Sequence, residues 1–317
     1  MQIEKSESLA ISYLRVLALI SILSCHFLQA LDNKWAWIFN IGVQVFFFIS
    51  GYLYGHKVVT DWKLFFKGRL LKVYFPFIVV SSFFILVYII TDVKVSKTSI
   101  LSYILNTQMF IGKIKGLGHL WFVSAIAICY LTTPLLQVLQ SRSSVLIWVL
   151  LGFSVYEITI MKYDVSLFMP IFLYAFGYFY ANIKRIVKLL LVSILTIISL
   201  VITYSITWQQ LLNYDGTMNR IFHVYVGLTI SIIIIGSLYK VLHIEKMYRI
   251  AKMLDNYSYE IYLVHHPLIL GPISLMQMTN NRVLNVIIIL AITGVSAYVL
   301  KKTMALIYQY SLSKPLL

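Results

Sequence analysis

Apolar runs of about 17 to 25 residues recur along the whole 317-residue chain, and this recurrence limits its fold more than any other feature. A helix needs about 20 apolar residues to cross the hydrocarbon of a bilayer, where it satisfies its backbone polar groups internally. Ten such runs are readable, at 9–30, 35–55, 73–91, 119–140, 145–161, 165–181, 186–208, 221–241, 259–278 and 283–300. The sequence therefore predicts an all-α, polytopic integral membrane bundle of about ten transmembrane helices. One membrane domain fills 1–317, with no stretch polar and long enough for a separate soluble domain.

Composition agrees, since 60% hydrophobic and 12% charged residues exclude an ordinary soluble fold. The six tryptophans, Trp35, Trp37, Trp62, Trp121, Trp148 and Trp208, lie near the ends of runs, as interfacial anchors do. A net charge of +15 reads as orientation rather than nucleic-acid binding. Ten spans put both termini on one side; making that side cytoplasmic places 17 of the 26 Lys and Arg there, against 8 outside and Arg15 within a span. Cys25 and Cys129 sit in apolar runs and suggest no disulfide framework. The first run is too long for a signal-peptide core and lacks a small-residue cleavage site after it. The longest outer connection, 92–118, holds a moderately apolar stretch at 100–111 that either lies along the surface or caps a cavity, and it reads as an interfacial helix.

Within the first run lie two ionisable residues, Arg15 and His26. An ionisable side chain at membrane depth is by default a functional-site candidate. Their spacing of eleven corresponds to roughly 16 Å along a helix and about three full turns, so both face one side. Arg15 either snorkels to the interface or lines one slot with His26.

The Arg followed eleven positions later by His resembles the signature of the membrane acyltransferase-3 family, whose members O-acylate carbohydrates. Residues 42–53, Gly-Val-Gln-Val-Phe-Phe-Phe-Ile-Ser-Gly-Tyr-Leu, are similar to its second-span motif, in which an acidic residue is common where Gln44 stands. His119-Leu120-Trp121-Phe122 resembles the start of its fourth span, and 258–265, Ser-Tyr-Glu-Ile-Tyr-Leu-Val-His, its late Ser, Tyr and His motif. The four motifs stand in family order across nearly the whole chain.

Ser50 and Gly51 are small residues suited to close helix approach, with no catalytic role assigned. His119 reads either as a second imidazole at the depth of His26 or as an interfacial histidine beside Trp121. Where some relatives carry a glutamate after this tryptophan, this chain has Val123, Ser124 and Ala125; Glu157 in the fifth run is a substitute candidate or a snorkelling carboxylate. Ser258, Tyr262 and His265, at i, i+4 and i+7, share a helix face that belongs, by the resemblance, to an active-site tunnel; otherwise it is a hydrogen-bonded seam. His266 points about 100° away and precedes Pro267, which leaves it outside that face. Arg69 and Lys72 resemble the family's Arg-x-x-Arg pattern and suit the phosphates of coenzyme A, although a plain topology-setting cluster has the same composition.

The chain has no P-loop, no zinc-type His and Cys spacing and no Gly-x-Ser-x-Gly elbow. Cys25 and His26 are helix neighbours pointing about 100° apart, which disfavours a dyad. The resemblance implies an O-acetyltransferase in a bacterial plasma membrane that uses acetyl-CoA, or another short acyl-CoA, as donor substrate, with no tightly bound cofactor or metal. It implies a carbohydrate acceptor, the lipid bilayer and partner proteins of polysaccharide synthesis as surroundings. His26, Arg15, His119 and His265 are the catalytic candidates; Arg15, Arg69 and Lys72 are the donor-binding ones. A transporter, flippase or polymerase of lipid-linked sugars would also carry buried Arg and His in many spans.

Overall fold

In the computed structural model the described residues are 5–142, 168–183, 185–212, 216–236 and 245–313. Their secondary structure is helical, without strands. The α-helices are α1 (Lys5–Ala30), α2 (Gly42–Gly55), α3 (Trp62–Arg69), α4 (Phe75–Ile90), α5 (Lys97–Ile104), α6 (Trp121–Val138), α7 (Phe168–Tyr180), α8 (Arg185–Leu212), α9 (Gly216–Gly236), α10 (Glu245–Leu270) and α11 (Arg282–Ser313). A π turn, Leu70–Tyr74, joins α3 to α4, and a 3-10 turn, Gly118–Leu120, leads into α6. Among the described residues five helical stretches are long and apolar enough to cross a membrane: Glu7–Ala30, Ala36–Gly55, Trp62–Ile90, Gly118–Val138 and Arg282–Gln309. The chain is thus a multi-pass membrane protein. The fifth run lies outside the described residues.

Two details differ from the sequence expectation. The surface helix expected over 100–111 is α5, which starts at its Ser96 cap, where the side chain accepts from the Ser99 N–H at 3.1 Å, and stops before Asn106 at φ 55°. The ninth apolar run, 259–278, maps onto α10, which begins at Glu245 and ends at Leu270, before Gly271 and Pro272. Apolarity marks the stretch a membrane would cover, whereas hydrogen bonding carries the helix on through the polar 245–257.

The described chain divides into two compact units. One gathers Met1–Cys25, Trp37–Val58 and Ile128–Asp255. Here α2 and α7 meet backbone to backbone: a Cβ on Gly51 would lie 1.8 Å from the Tyr174 carbonyl oxygen, and one on Gly177 would lie 2.1 Å from that of Phe48. Small residues allow this approach, so packing explains the second-span motif. Beside the contact the rings of Phe48, Tyr52, Phe176 and Tyr180 pack together.

The other unit gathers His26–Ala36, Val59–Ala127 and Asn256–Leu317. Its distinctive part is the connection after α5. The Tyr103 hydroxyl donates to the Leu117 carbonyl at 3.0 Å, and burial pushes this phenol up to about 12, which keeps it a donor. The Ser102 hydroxyl donates to the Gly112 carbonyl at 3.1 Å, and the Gln108 amide to that of Leu120 at 2.9 Å. Gly116, at φ +84°, lets the connection press on the end of α10: a Cβ there would lie 2.6 Å from Gly271 Cα. The segment leading to His119 is thereby fixed.

Candidate functional site

Four histidines converge within the second unit. His26 comes from the last turns of α1, His119 from the 3-10 turn, and His265 and His266 from α10. The His26 ring lies 5.3 Å from that of His265 and meets His266 edge to face at 4.5 Å. The His119 ring meets His265 edge to face at 5.2 Å and stacks on His266 at 4.6 Å. His26 and His266 are half-buried; His119 and His265 are buried.

Each ring has one nitrogen bonded to an oxygen, a backbone carbonyl for three of them and the Gln29 side chain for His26. His119 Nε2 donates to the Leu263 carbonyl at 3.2 Å, and His265 Nδ1 to that of Tyr262 at 2.8 Å. His266 Nδ1 donates to the Gly116 carbonyl at 2.8 Å, and His26 Nδ1 to Gln29 Oε1 at 2.9 Å. A carbonyl oxygen only accepts, so the bonded nitrogen carries the proton and the other nitrogen of a neutral ring keeps its lone pair. Among the described residues, His119 Nδ1 and His265 Nε2 are buried without a hydrogen-bond partner.

The Leu263 carbonyl is available for a local reason. Pro267 lies four residues further along α10 and has no N–H, so the helix leaves that carbonyl without its usual donor, and His119 occupies it. The Tyr262 hydroxyl in turn donates to the His119 backbone carbonyl. Tyr262 therefore holds the turn that carries His119, and Ser258 on the same face is buried.

Of the sequence candidates, the structure brings His26, His119 and His265 together. The exclusion of His266 is corrected: its ring touches both His26 and His119. Two rings about 100° apart on one helix flank a groove, and rings from other segments fit against both. Among the described residues no group of three or more His, Cys, Asp or Glu is placed to hold a metal ion.

Arg15 belongs to the first unit, where its Nη1 lies 3.4 Å from Asp255 Oδ1. Asp255 also accepts from the Ser12 hydroxyl at 2.7 Å. This carboxylate, which the sequence reading did not single out, fixes the guanidinium. In the same unit Glu7 receives the Tyr52 hydroxyl and lies 3.4 Å from His56 Nε2. Arg69 and Lys72 lie in the second unit, at the end of α3 and in the π turn; the Arg69 guanidinium is 6.0 Å from the Phe65 ring centre and Lys72 Nζ 5.3 Å from that of Tyr308. Glu157 is outside the described residues.

The fold and site define a multi-pass, all-helical membrane protein with a cluster of imidazoles suited to proton or acyl transfer. Residues 8–301 match the acyltransferase domain of the acyltransferase-3 family, and the chain belongs to this family of membrane-bound acyltransferases. No curated protein and no solved structure gives a match.

Proposed function

We propose that this membrane acyltransferase moves an acetyl or other short acyl group from cytoplasmic acyl-CoA to a hydroxyl of a cell-surface sugar or its lipid-linked precursor. On this reading ten spans cross the plasma membrane with both termini in the cytoplasm. The observation that carries the proposal is the His26 ring in its setting. Its Nδ1–H is held by Gln29, the residue is half-buried, and two further imidazoles, His265 and His266, pack against it.

A neutral imidazole so oriented takes the proton of an attacking hydroxyl or carries the acyl group for part of the cycle. His265 and His266 pack against it and stabilise its orientation, and His119 packs against those two in turn. Arg15, held by Asp255, is a fixed cation for the donor's phosphates or thioester carbonyl, and Arg69 with Lys72 is a second phosphate anchor. Acyl-CoA is a substrate here, and no resident cofactor takes part. The test is transfer from labelled acetyl-CoA by the purified protein: His26→Ala slows it about 10²- to 10⁴-fold, and wild-type turnover in that variant removes His26 from the chemistry.

A further inference from the structure

The half-buried imidazoles of the cluster do not include the one that the shared helix face selects. His265, on the Ser258 and Tyr262 face, is 0% exposed, and His119 is buried with it. His26 and His266 are the half-buried pair, and they are in edge-to-face contact at 4.5 Å. Both have the Nδ1 proton committed, His26 to Gln29 Oε1 and His266 to the Gly116 carbonyl. In the neutral rings the two Nε2 atoms carry lone pairs and no proton. Among the described residues neither Nε2 has a hydrogen bond. The two touching, half-buried rings thus offer two acceptors, with both of their donors already committed.

A ligand that satisfies both must bring two donors. A carboxylate or phosphate oxygen brings none, and an isolated alcohol brings one. A vicinal diol brings two, one for each ring. On the acyltransferase reading above, we infer that the acceptor is bound as a vicinal diol of a sugar ring. One hydroxyl passes its proton to His26 Nε2 as its oxygen bonds to the acyl carbon. The carbon–sulfur bond breaks, the electron pair leaves on the thiolate of coenzyme A, and the His26 imidazolium returns the proton to that sulfur. The neighbouring hydroxyl donates to His266 Nε2 and stays unacylated. His266 is therefore a substrate-positioning residue held by the fixed 116 carbonyl.

Cells expressing the wild type, His266→Phe, His266→Gln or no protein supply the test. Their surface glycans are mapped by NMR, and acyl content is normalised to the amount of protein in the membrane. The acyl group that disappears without the protein should sit on a ring carbon beside a free hydroxyl. His266→Phe should lower it about tenfold, as loss of one hydrogen bond to the substrate does, and His266→Gln, whose amide oxygen accepts, should recover most of it. An acyl group on a primary hydroxyl, or on a ring carbon without a free neighbour, overturns the diol assignment and leaves the acyltransferase reading standing. So does wild-type acylation by His266→Phe, or an equal defect in both variants. If no acyl group depends on the protein, the glycan-acceptor reading falls and the diol with it.

Discussion

Replacing Gly116 by alanine isolates the contact that fixes His266. The residue sits at φ +84°, a conformation that costs an L-residue roughly 1–2 kcal/mol. The new Cβ would lie 2.5 Å from the Tyr88 hydroxyl and 2.6 Å from Gly271 Cα. The tyrosine tip can turn away, but the Gly271 backbone cannot do so cheaply, and overpacking of this kind costs about 1–3 kcal/mol. The sum is about 2–5 kcal/mol if the segment stays in place. If it relaxes, the Gly116 carbonyl leaves His266 Nδ1, and loss of that 2.8 Å hydrogen bond, worth about 1 kcal/mol, lowers turnover about fivefold. Gly68 in α3 is the control, because no atom lies within 4 Å of a Cβ placed there and alanine should stabilise the helix by about 0.5–1 kcal/mol. Thermal unfolding of the detergent-solubilised protein and acetyl transfer are measured side by side. Equal melting temperature and activity in Gly116→Ala and Gly68→Ala would refute the reasoning.

Pro267→Ala returns an N–H aimed at the Leu263 carbonyl, in competition with His119 Nε2. The variant should melt no lower than wild type yet turn over about fivefold more slowly; unchanged turnover would show that the freed carbonyl does not matter. Arg69→Ala and Lys72→Ala should each raise KM for acetyl-CoA about five- to tenfold with kcat little changed. With acetyl-pantetheine, which lacks the nucleotide phosphates, both variants should match wild type, and a persisting defect would place the two cations elsewhere in the reaction.

Much of this architecture was legible because a bilayer forces a simple code: apolar length and helical backbone satisfaction. His26, His119 and His265 were legible for a related reason, since ionisable groups in apolar runs stand out. The positions that escaped did so on geometric grounds. His266 failed a one-face criterion, which assumes that a site is lined by a single stripe, whereas the His26 and His119 rings pack against both neighbours on α10. Asp255 was missed because the ninth run was read from 259, although it continues the polar stripe of Ser258, Tyr262 and His265 one turn back along α10. Pro267 signals a freed carbonyl at Leu263 from sequence alone; the histidine that fills it is distant in the chain and needs the fold.

The most direct test of the central claim is single-turnover acyl transfer by purified protein, reconstituted in lipid, from radiolabelled acetyl-CoA to a glycan extract. The wild type should move label into glycan, and His26→Ala should do so about 10²- to 10⁴-fold more slowly while still binding acetyl-CoA, as expected on removing a general base or acyl carrier. Transfer by His26→Ala at the wild-type rate would contradict the account.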